Sequence, residues 1–153
     1  MRVSVIGGSR VDEETYEAAR EVGRLLADRG HTVVCGGYGG VMEAVCRGAR
    51  EHGGETIGVL KGTDPDEGND WITTPIATGM GDARNALVVL NGEACIAIDG
   101  AAGTLSELGM AFVYDRAVAG LDTHDCSQFD GFRAVETDGR HEVRDRRPVR
   151  LAL

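Results

Sequence analysis

Three apolar runs in this chain each lead directly into a glycine-rich stretch, and each glycine-rich stretch is followed by a helical pattern. The glycine-rich stretches are residues 7–9, 36–40 and 100–104. The apolar runs are continuous rather than alternating, which is typical of strands that are buried on both faces. Strands that alternate with helices in this way predict a parallel sheet covered by helices on both sides.

The fold class that follows is α/β: a Rossmann-like, doubly wound, mostly parallel sheet with helices on both faces. The 153 residues fit a single domain. We expect helices at residues 13–28, 41–51, 81–90 and 104–114, with Asp12 capping the first of them. We expect strands at residues 3–6, 31–35, 55–60, 71–76, 94–98 and 117–121.

The last part of the chain lacks this alternation. We assign residues 1–125 to a nucleotide-binding domain and residues 126–153 to a divergent C-terminal extension or hairpin of the same domain. The apolar residues of this extension are scattered between glycine and proline, so burying a helix there would remove little apolar area from water. We therefore expect a hairpin or irregular strand pair near residues 132–144 rather than a helix. Residues 145–153 are expected to be loosely held or borrowed by a neighbouring subunit.

Charge and composition exclude several classes of partner. Acidic residues outnumber basic ones by 25 to 16, which gives a net charge of −9. A field of that sign repels nucleic acid, so the arginine-rich residues 133–153 fit a solvated tail better than an RNA-binding arm. No apolar stretch has membrane-spanning length and the start has no signal-peptide pattern, so we expect a cytoplasmic protein without a membrane partner.

The sequence predicts no metal site. Its four cysteines show no metal-ligand spacing, and a reduced, buried thiol is the default for such residues. His124, Asp125 and Cys126 sit together, but a metal site would need a second group of ligands elsewhere in the chain.

The glycine-rich stretches point to an anion site. In an open parallel sheet they all leave the carboxyl edge, where ligands bind. Glycine lets backbone N–H groups approach an anion, and the helix that follows adds a partial positive charge. Phosphate is the natural ligand, although each stretch alone also fits a tight turn, and neither G-x-G-x-x-G nor G-x-x-x-x-G-K-[ST] is present. The predicted contacts are Gly7, Gly8, Ser9, Gly36, Gly37, Gly39, Gly40, Asp99, Gly100, Gly103 and Thr104.

One segment resembles a known motif. D-G-A-A-G-T-L-S-E, at residues 99–107, resembles the P-G-G-x-G-T-x-x-E motif of the LOG (Lonely Guy) superfamily, formerly mistaken for lysine decarboxylases. V-I-G-G-S, G-G-Y-G-G-V-M-E-A and D-A-R-N-A-L-V-V also agree with that superfamily. The form G-T-L-S-E, and R-N in place of R-K, look closest to the branch of molybdenum cofactor carrier proteins. The resemblance covers about residues 2–125.

The resemblance implies a site and two candidate functions. The superfamily's functional pair falls on Arg84 and Glu107, which would be the catalytic residues of an enzyme. Arg84, Asn85 and Glu107 are also expected to contact the ligand. We expect a carrier or sensor that binds a phosphorylated nucleotide or a molybdopterin-type ligand, because Asn85 replaces a lysine and Asp99 a proline of the motifs. The alternative is a phosphoribohydrolase that releases free base from a nucleoside 5′-monophosphate. No cofactor is required beyond such a ligand, and a homodimer or higher homo-oligomer is implied.

Two further residues have alternative interpretations. Glu107 closes the pattern T-x-x-E, so it also fits a capping box with Thr104 as the N-cap, and a cap and a site are compatible. Trp71, next to a loop rich in Asp and Gly, is expected to be a packing anchor, with base stacking as the alternative.

Overall fold

The computed structural model describes residues 1–137 and 143–144. Within them, eight strands form one sheet in the order β4-β3-β2-β1-β5-β6-β7-β8. All neighbouring pairs from β4 to β7 are parallel, and β7 pairs with β8 in the antiparallel direction. The Rossmann-like, mostly parallel α/β fold is thus confirmed. The strands are β1 Arg2–Gly7, β2 Thr32–Cys35, β3 Thr56–Leu60, β4 Thr74–Ala77, β5 Ala94–Ile98, β6 Ala117–Leu121, β7 Phe132–Thr137 and β8 Val143–Arg144.

Helices cover both faces of this sheet. α1 and α2 share one buried apolar cluster with the first face, and α3 and α4 share a second cluster with the other face. The helices α1 and α2 have the predicted bounds. Asp12 caps α1, because its carboxylate accepts a hydrogen bond from the backbone N–H of Thr15 at 2.9 Å. The helices are α1 Glu13–Asp28, α2 Val41–Glu51, α3 Asn85–Leu90 and α4 Ala102–Val113.

The position of β1 in the sheet brings the glycine-rich stretches together. β1 pairs with β2 on one side and with β5 on the other, so the strand order reverses beside it. Gly7 at the end of β1 is level with Ile98 at the end of β5. The N–H of Val41, at the start of α2, donates to the Gly8 carbonyl at 2.9 Å. The stretches at residues 7–9, 36–40 and 100–104 therefore leave one edge of the sheet side by side.

The predicted helix at residues 81–90 is divided in the structure. Gly81–Arg84 form a 3-10 turn, and the α-helix begins only at Asn85. Gly81 has a φ of 58°, which lies outside the α-helical region.

The helix α4 begins two residues before its predicted start. Its N-cap is Ala101, which makes no side-chain capping hydrogen bond. Thr104 is therefore the third residue of α4 and not its N-cap. The capping-box interpretation of Thr104 and Glu107 is wrong.

The sheet also differs from the prediction at its two edges. The strand predicted at residues 71–76 is β4, which begins three residues later. Trp71 precedes it and packs against the buried cluster of α1 and α2, as expected for a packing anchor. The Arg47 guanidinium lies 5.7 Å from the centroid of the Trp71 ring. At the other edge, the strand pair expected near residues 132–144 is confirmed, because β7 and β8 pair in the antiparallel direction. The sequence did not predict that β7 also joins the parallel sheet beside β6. Residues 138–142 and 145–153 lie outside the described residues. The prediction that residues 145–153 are loosely held or borrowed by a neighbouring subunit concerns that part of the chain. The boundary after residue 125 stays a prediction.

Candidate functional site

A pocket opens at the carboxyl edge of the sheet, beside the end of β1. Its volume is about 150 Å³. Residues from all three glycine-rich stretches meet there with Arg84 and Glu107, as the sequence predicts. The predicted residues that line the pocket are Gly7, Gly8, Ser9, Gly36, Arg84, Asn85, Gly103, Thr104 and Glu107.

Five other predicted contacts do not line this pocket, namely Gly37, Gly39, Gly40, Asp99 and Gly100. At least two of them have a structural reason to be glycine. Gly40 has a φ of 63°, and a Cβ there would overlap the backbone of Gly8 and Ser9. Gly100 has a φ of 121°, and a Cβ there would overlap the Thr104 side chain. A direct role of these five residues in ligand binding stays a prediction.

Arg84 is the buried cation of the pocket. It closes the 3-10 turn before α3, and its side chain is only 4% exposed. Its Nη2 donates to the carbonyl of Gly36 at 3.3 Å, and its Nη1 donates to the Asn85 side-chain oxygen. The ring of Tyr38 lies 5.8 Å from the guanidinium carbon, and Nε has no hydrogen-bond partner. A buried donor without a partner is costly, so Arg84 favours an added acceptor, most of all an anion.

Glu107 is the buried acid of the pocket. It lies in the second turn of α4, is 7% exposed, and its Oε1 is 3.9 Å from Nη1 of Arg84. Burial raises the pKa of Glu107 to about 7, against the opposing charges of Arg84 and Lys61. The carboxyl is thus divided between its neutral and charged forms near neutral pH. Perturbed groups of this kind are typical of functional sites.

The N-terminus of α4 forms one wall of the pocket. Because Ala101 supplies no side-chain cap, the first backbone N–H groups of α4 have no side-chain acceptor. Gly103 and Thr104 lie in this first turn and line the pocket. A Cβ added to Gly103 would meet no atom within 4 Å, so there is room in front of the turn. This wall can therefore receive an anion from the solvent side.

The mouth of the pocket carries an ion pair that the sequence analysis missed. Lys61 directly follows β3, and its Nζ lies 2.5 Å from Oδ1 of Asp82 in the 3-10 turn. The position of Lys61 at the end of a strand was a usable signal, because that end belongs to the ligand edge. Other residues lining the pocket that the sequence analysis did not propose are Val5, Ile6, Met42 and Ala101.

The segment after β6 supports the loop that leads into α4. The Thr123 hydroxyl donates to the Asp99 carbonyl at 2.6 Å, and Nε2 of His124 lies 3.1 Å from the Ala101 carbonyl oxygen. Asp99 adopts a φ of 52°, which is unusual for a residue other than glycine.

Over residues 1–137 and 143–144, no group of three or more His, Cys, Asp or Glu side chains is arranged to hold a metal ion. The contact of His124 with Ala101 gives it a structural role.

The class of protein follows from this geometry: a Rossmann-like domain whose small-molecule pocket lies at the point where the strand order reverses. The model of the SLOG cluster4 family matches residues 1–148. This chain therefore belongs to the SLOG cluster4 family, and thus to the LOG superfamily that its motifs resemble. In the part of the chain that the structure describes, no helix is long and apolar enough to cross a membrane.

Two relatives are similar to this chain in sequence. An uncharacterized protein of Archaeoglobus fulgidus is 41% identical over 137 residues, which are 90% of this chain and 89% of that protein. The cytokinin riboside 5′-monophosphate phosphoribohydrolase of Mycobacterium marinum is 34% identical, over 79% of this chain and 68% of the enzyme.

Two solved structures are similar to this chain in fold. The molybdenum cofactor binding protein of Rippkaea orientalis has a TM-score of 0.77 and 32% identity, over 81% of this chain and 77% of that one. The molybdenum cofactor carrier protein of Chlamydomonas reinhardtii has a TM-score of 0.76 and 32% identity, over 83% of this chain and 80% of that one.

The raised pKa of Glu107 predicts how folding stability depends on pH. Because the folded state keeps a proton that the unfolded state loses above pH 4.5, the free energy of unfolding falls as pH rises toward 7. We expect Glu107→Gln to be more stable than the unchanged protein above pH 7, by up to about 3 kcal/mol, and similar to it near pH 4.5. Urea denaturation across pH 4.5–8 measures this difference.

The matched control is Glu55→Gln, which changes an exposed carboxylate directly before β3, at the amino-terminal ends of the strands and away from the pocket. It should leave the pH profile between pH 5 and 8 unchanged. A Glu107→Gln profile parallel to that of the unchanged protein would show that the carboxyl titrates normally.

Proposed function

We propose that the pocket binds a phosphorylated nucleotide or a molybdopterin-type ligand through its phosphate, and that the protein acts as a carrier or sensor of that ligand. The observation that carries the proposal is the buried guanidinium of Arg84 beside the uncapped N-terminus of α4. A fixed cation and aligned backbone N–H groups are the two elements of phosphate sites in this type of fold. The similarity to two molybdenum cofactor proteins supports the same ligand class.

Each residue has a defined role in this proposal. The phosphate accepts hydrogen bonds from the backbone N–H groups of Gly103 and Thr104 and from the guanidinium of Arg84. The glycine-rich stretch at residues 7–9 forms the floor and excludes water from the ligand. Glu107 accepts hydrogen bonds from hydroxyl or N–H groups of the ligand when it is charged, and donates one when it is neutral.

A phosphoribohydrolase is the second candidate, and Glu107 favours it. A carboxyl with a pKa of about 7 can hold the ribose hydroxyls or stabilise positive charge on the sugar ring while water adds to C1′ and the base leaves. The mycobacterial relative carries this activity in its name. Two substitutions favour the carrier: Asn85 removes the positive charge of the lysine in the R-K motif, and Asp99 places a carboxylate beside Gly8, at the edge of the pocket.

Binding and hydrolysis are separated by one pair of measurements with adenosine 5′-monophosphate. We expect calorimetry to detect binding, and chromatography to detect no free adenine after prolonged incubation. Arg84→Ala should weaken binding by about 1.5–3 kcal/mol, the range for a hydrogen bond to a charged group. Arg47→Ala removes a guanidinium remote from the pocket and should leave binding unchanged.

Release of adenine that depends on Glu107 would favour the enzyme over the carrier. Binding that is equal in Arg84→Ala and Arg47→Ala, with the fold of both variants verified by circular dichroism, would contradict the assignment of the phosphate site.

We also propose that two copies of the chain associate through the outer face of α4. Three of its outward side chains are large and apolar: Leu105 is 50% exposed, Met110 37% and Val113 72%. The one charged residue of the helix, Glu107, points inward and is buried. Leu105 and Ser106 directly follow Thr104, so a second copy seated here would lie next to the pocket. Two copies of a protein of net charge −9 repel each other except where their surfaces lack charge. The continuous uncharged face of α4 is therefore suited to contact a second copy of the chain.

The double variant Leu105→Glu/Val113→Glu tests this interface. Because four charges would face each other across the contact, we expect the protein to become monomeric in light scattering coupled to size exclusion. Ile76→Glu is the control, since Ile76 is 45% exposed on the distant strand β4 and should not change the mass. A monomeric unchanged protein, or a double variant that keeps its mass, would contradict the proposal.

A further inference from the structure

The pocket contains two ion pairs, and the proposed phosphate site uses only one of them. The buried pair is Arg84 with Glu107, at 3.9 Å. The second pair is Lys61 with Asp82, at 2.5 Å, and it lines the same pocket at its mouth. Its side chains are 46% and 82% exposed. Nothing in the proposed function requires this second pair.

Hydrogen bonds hold the backbone of Lys61 in place, whereas its charged side chain can change conformation. Its N–H donates to the hydroxyl of Tyr38 at 2.7 Å, and its carbonyl accepts from the N–H of Gly81 at 2.9 Å. The ring of Tyr38 also faces the guanidinium of Arg84, so the anchor of Lys61 is tied to the phosphate site. The side chain beyond this anchor is flexible and ends in a compact ammonium group. Lys61 is also the single lysine of a chain with 15 arginines.

Lys61 and the N-terminus of α4 stand on opposite walls of the pocket. Lys61 follows β3 and α4 follows β5, and β2 and β1 lie between these strands. Three strand spacings separate the two walls by about 14 Å at the level of the backbone. A ligand with a single phosphate at the α4 wall therefore does not reach Lys61, which stays paired with Asp82. A longer anionic group extends from the α4 wall toward the ammonium group of Lys61.

The pair at the mouth exchanges partners easily. Exposed ion pairs are only weakly stabilising, because water solvates both charges and the side chains lose freedom on pairing. A phosphate oxygen in the partly enclosed pocket offers Lys61 a stronger partner than an exposed carboxylate does. Asp82, being largely exposed, returns to water when Lys61 leaves it.

We infer that Lys61 is a specificity-determining residue of this site: it leaves Asp82 to bind a second anionic group of the ligand, so that the pocket selects diphosphates over monophosphates. Asp82 is the ion-pair partner of Lys61 as long as no such group is bound. The inference rests on the proposed function, because the first phosphate must occupy the wall formed by Arg84 and α4.

The test compares adenosine 5′-diphosphate with adenosine 5′-monophosphate by calorimetry at one low ionic strength. The unchanged protein should prefer the diphosphate by about tenfold, the factor expected for one added charge-assisted hydrogen bond. Lys61→Met should abolish that preference, because it weakens diphosphate binding more than monophosphate binding, while Lys61→Arg retains the preference.

Asp82→Asn supplies the second arm of the test. It frees Lys61 and also removes a negative charge from the pocket, so it should tighten diphosphate binding several-fold in the unchanged background and clearly less in the Lys61→Met background, where only the loss of repulsion remains. Glu55→Gln removes one negative charge at the amino-terminal ends of the strands and should change neither affinity.

A preference that survives Lys61→Met, or an Asp82→Asn effect that is equal in both backgrounds, would overturn the inference. These outcomes are distinct from a failure of the proposed function. If monophosphate binding does not depend on Arg84, the phosphate site itself is wrong, whatever the Lys61 variants do. If it depends on Arg84 and the diphosphate preference does not depend on Lys61, only the inference about Lys61 is wrong.

Discussion

A guanidinium taken out of water must find partners inside the protein, and the burial of Arg84 is the constraint on which the pocket depends. Its partners come from separate parts of the chain: the Gly36 carbonyl after β2, the Asn85 amide in α3 and the Glu107 carboxyl in α4. These contacts connect the second glycine-rich stretch to the helices on the other face of the sheet. One donor of the guanidinium, Nε, is left unsatisfied by the described residues of the protein.

The charges of the pocket are balanced before any ligand enters. Arg84 faces Glu107 and Lys61 faces Asp82, so an incoming anion meets a carboxylate beside each cation. The two pairs respond differently. Asp82 is exposed and can move into water, whereas Glu107 is buried and can relinquish its charge only by taking up a proton, which its raised pKa permits near neutral pH. Anion binding at Arg84 and protonation of Glu107 should favour each other for this reason.

The sequence predicts well those features that depend on local pattern. The helices α1 and α2 begin at a cap or after glycine and carry regular apolar positions, and both have the predicted bounds. The start of α4 was missed because T-x-x-E imitates a capping box, although the turn begins at Ala101. The sequence predicts the strand pair of β7 and β8 but not the place of β7 in the parallel sheet, since F-R-A-V-E-T lacks the continuous apolar run of the inner strands. The motif resemblance located Arg84 and Glu107. The proximity of Lys61 to Asp82 depends on the chain returning from β4 to contact the end of β3, which no local pattern encodes.

In the proposed site a phosphate binds between Arg84 and the first turn of α4. A crystal structure of the protein saturated with adenosine 5′-monophosphate measures this contact. We expect phosphate oxygens within about 3.2 Å of the backbone nitrogens of Gly103 and Thr104 and of the Arg84 guanidinium. A nucleotide bound with its phosphate in solvent or at another surface, while Arg84 keeps only its contacts with Gly36, Asn85 and Glu107, would contradict this proposal.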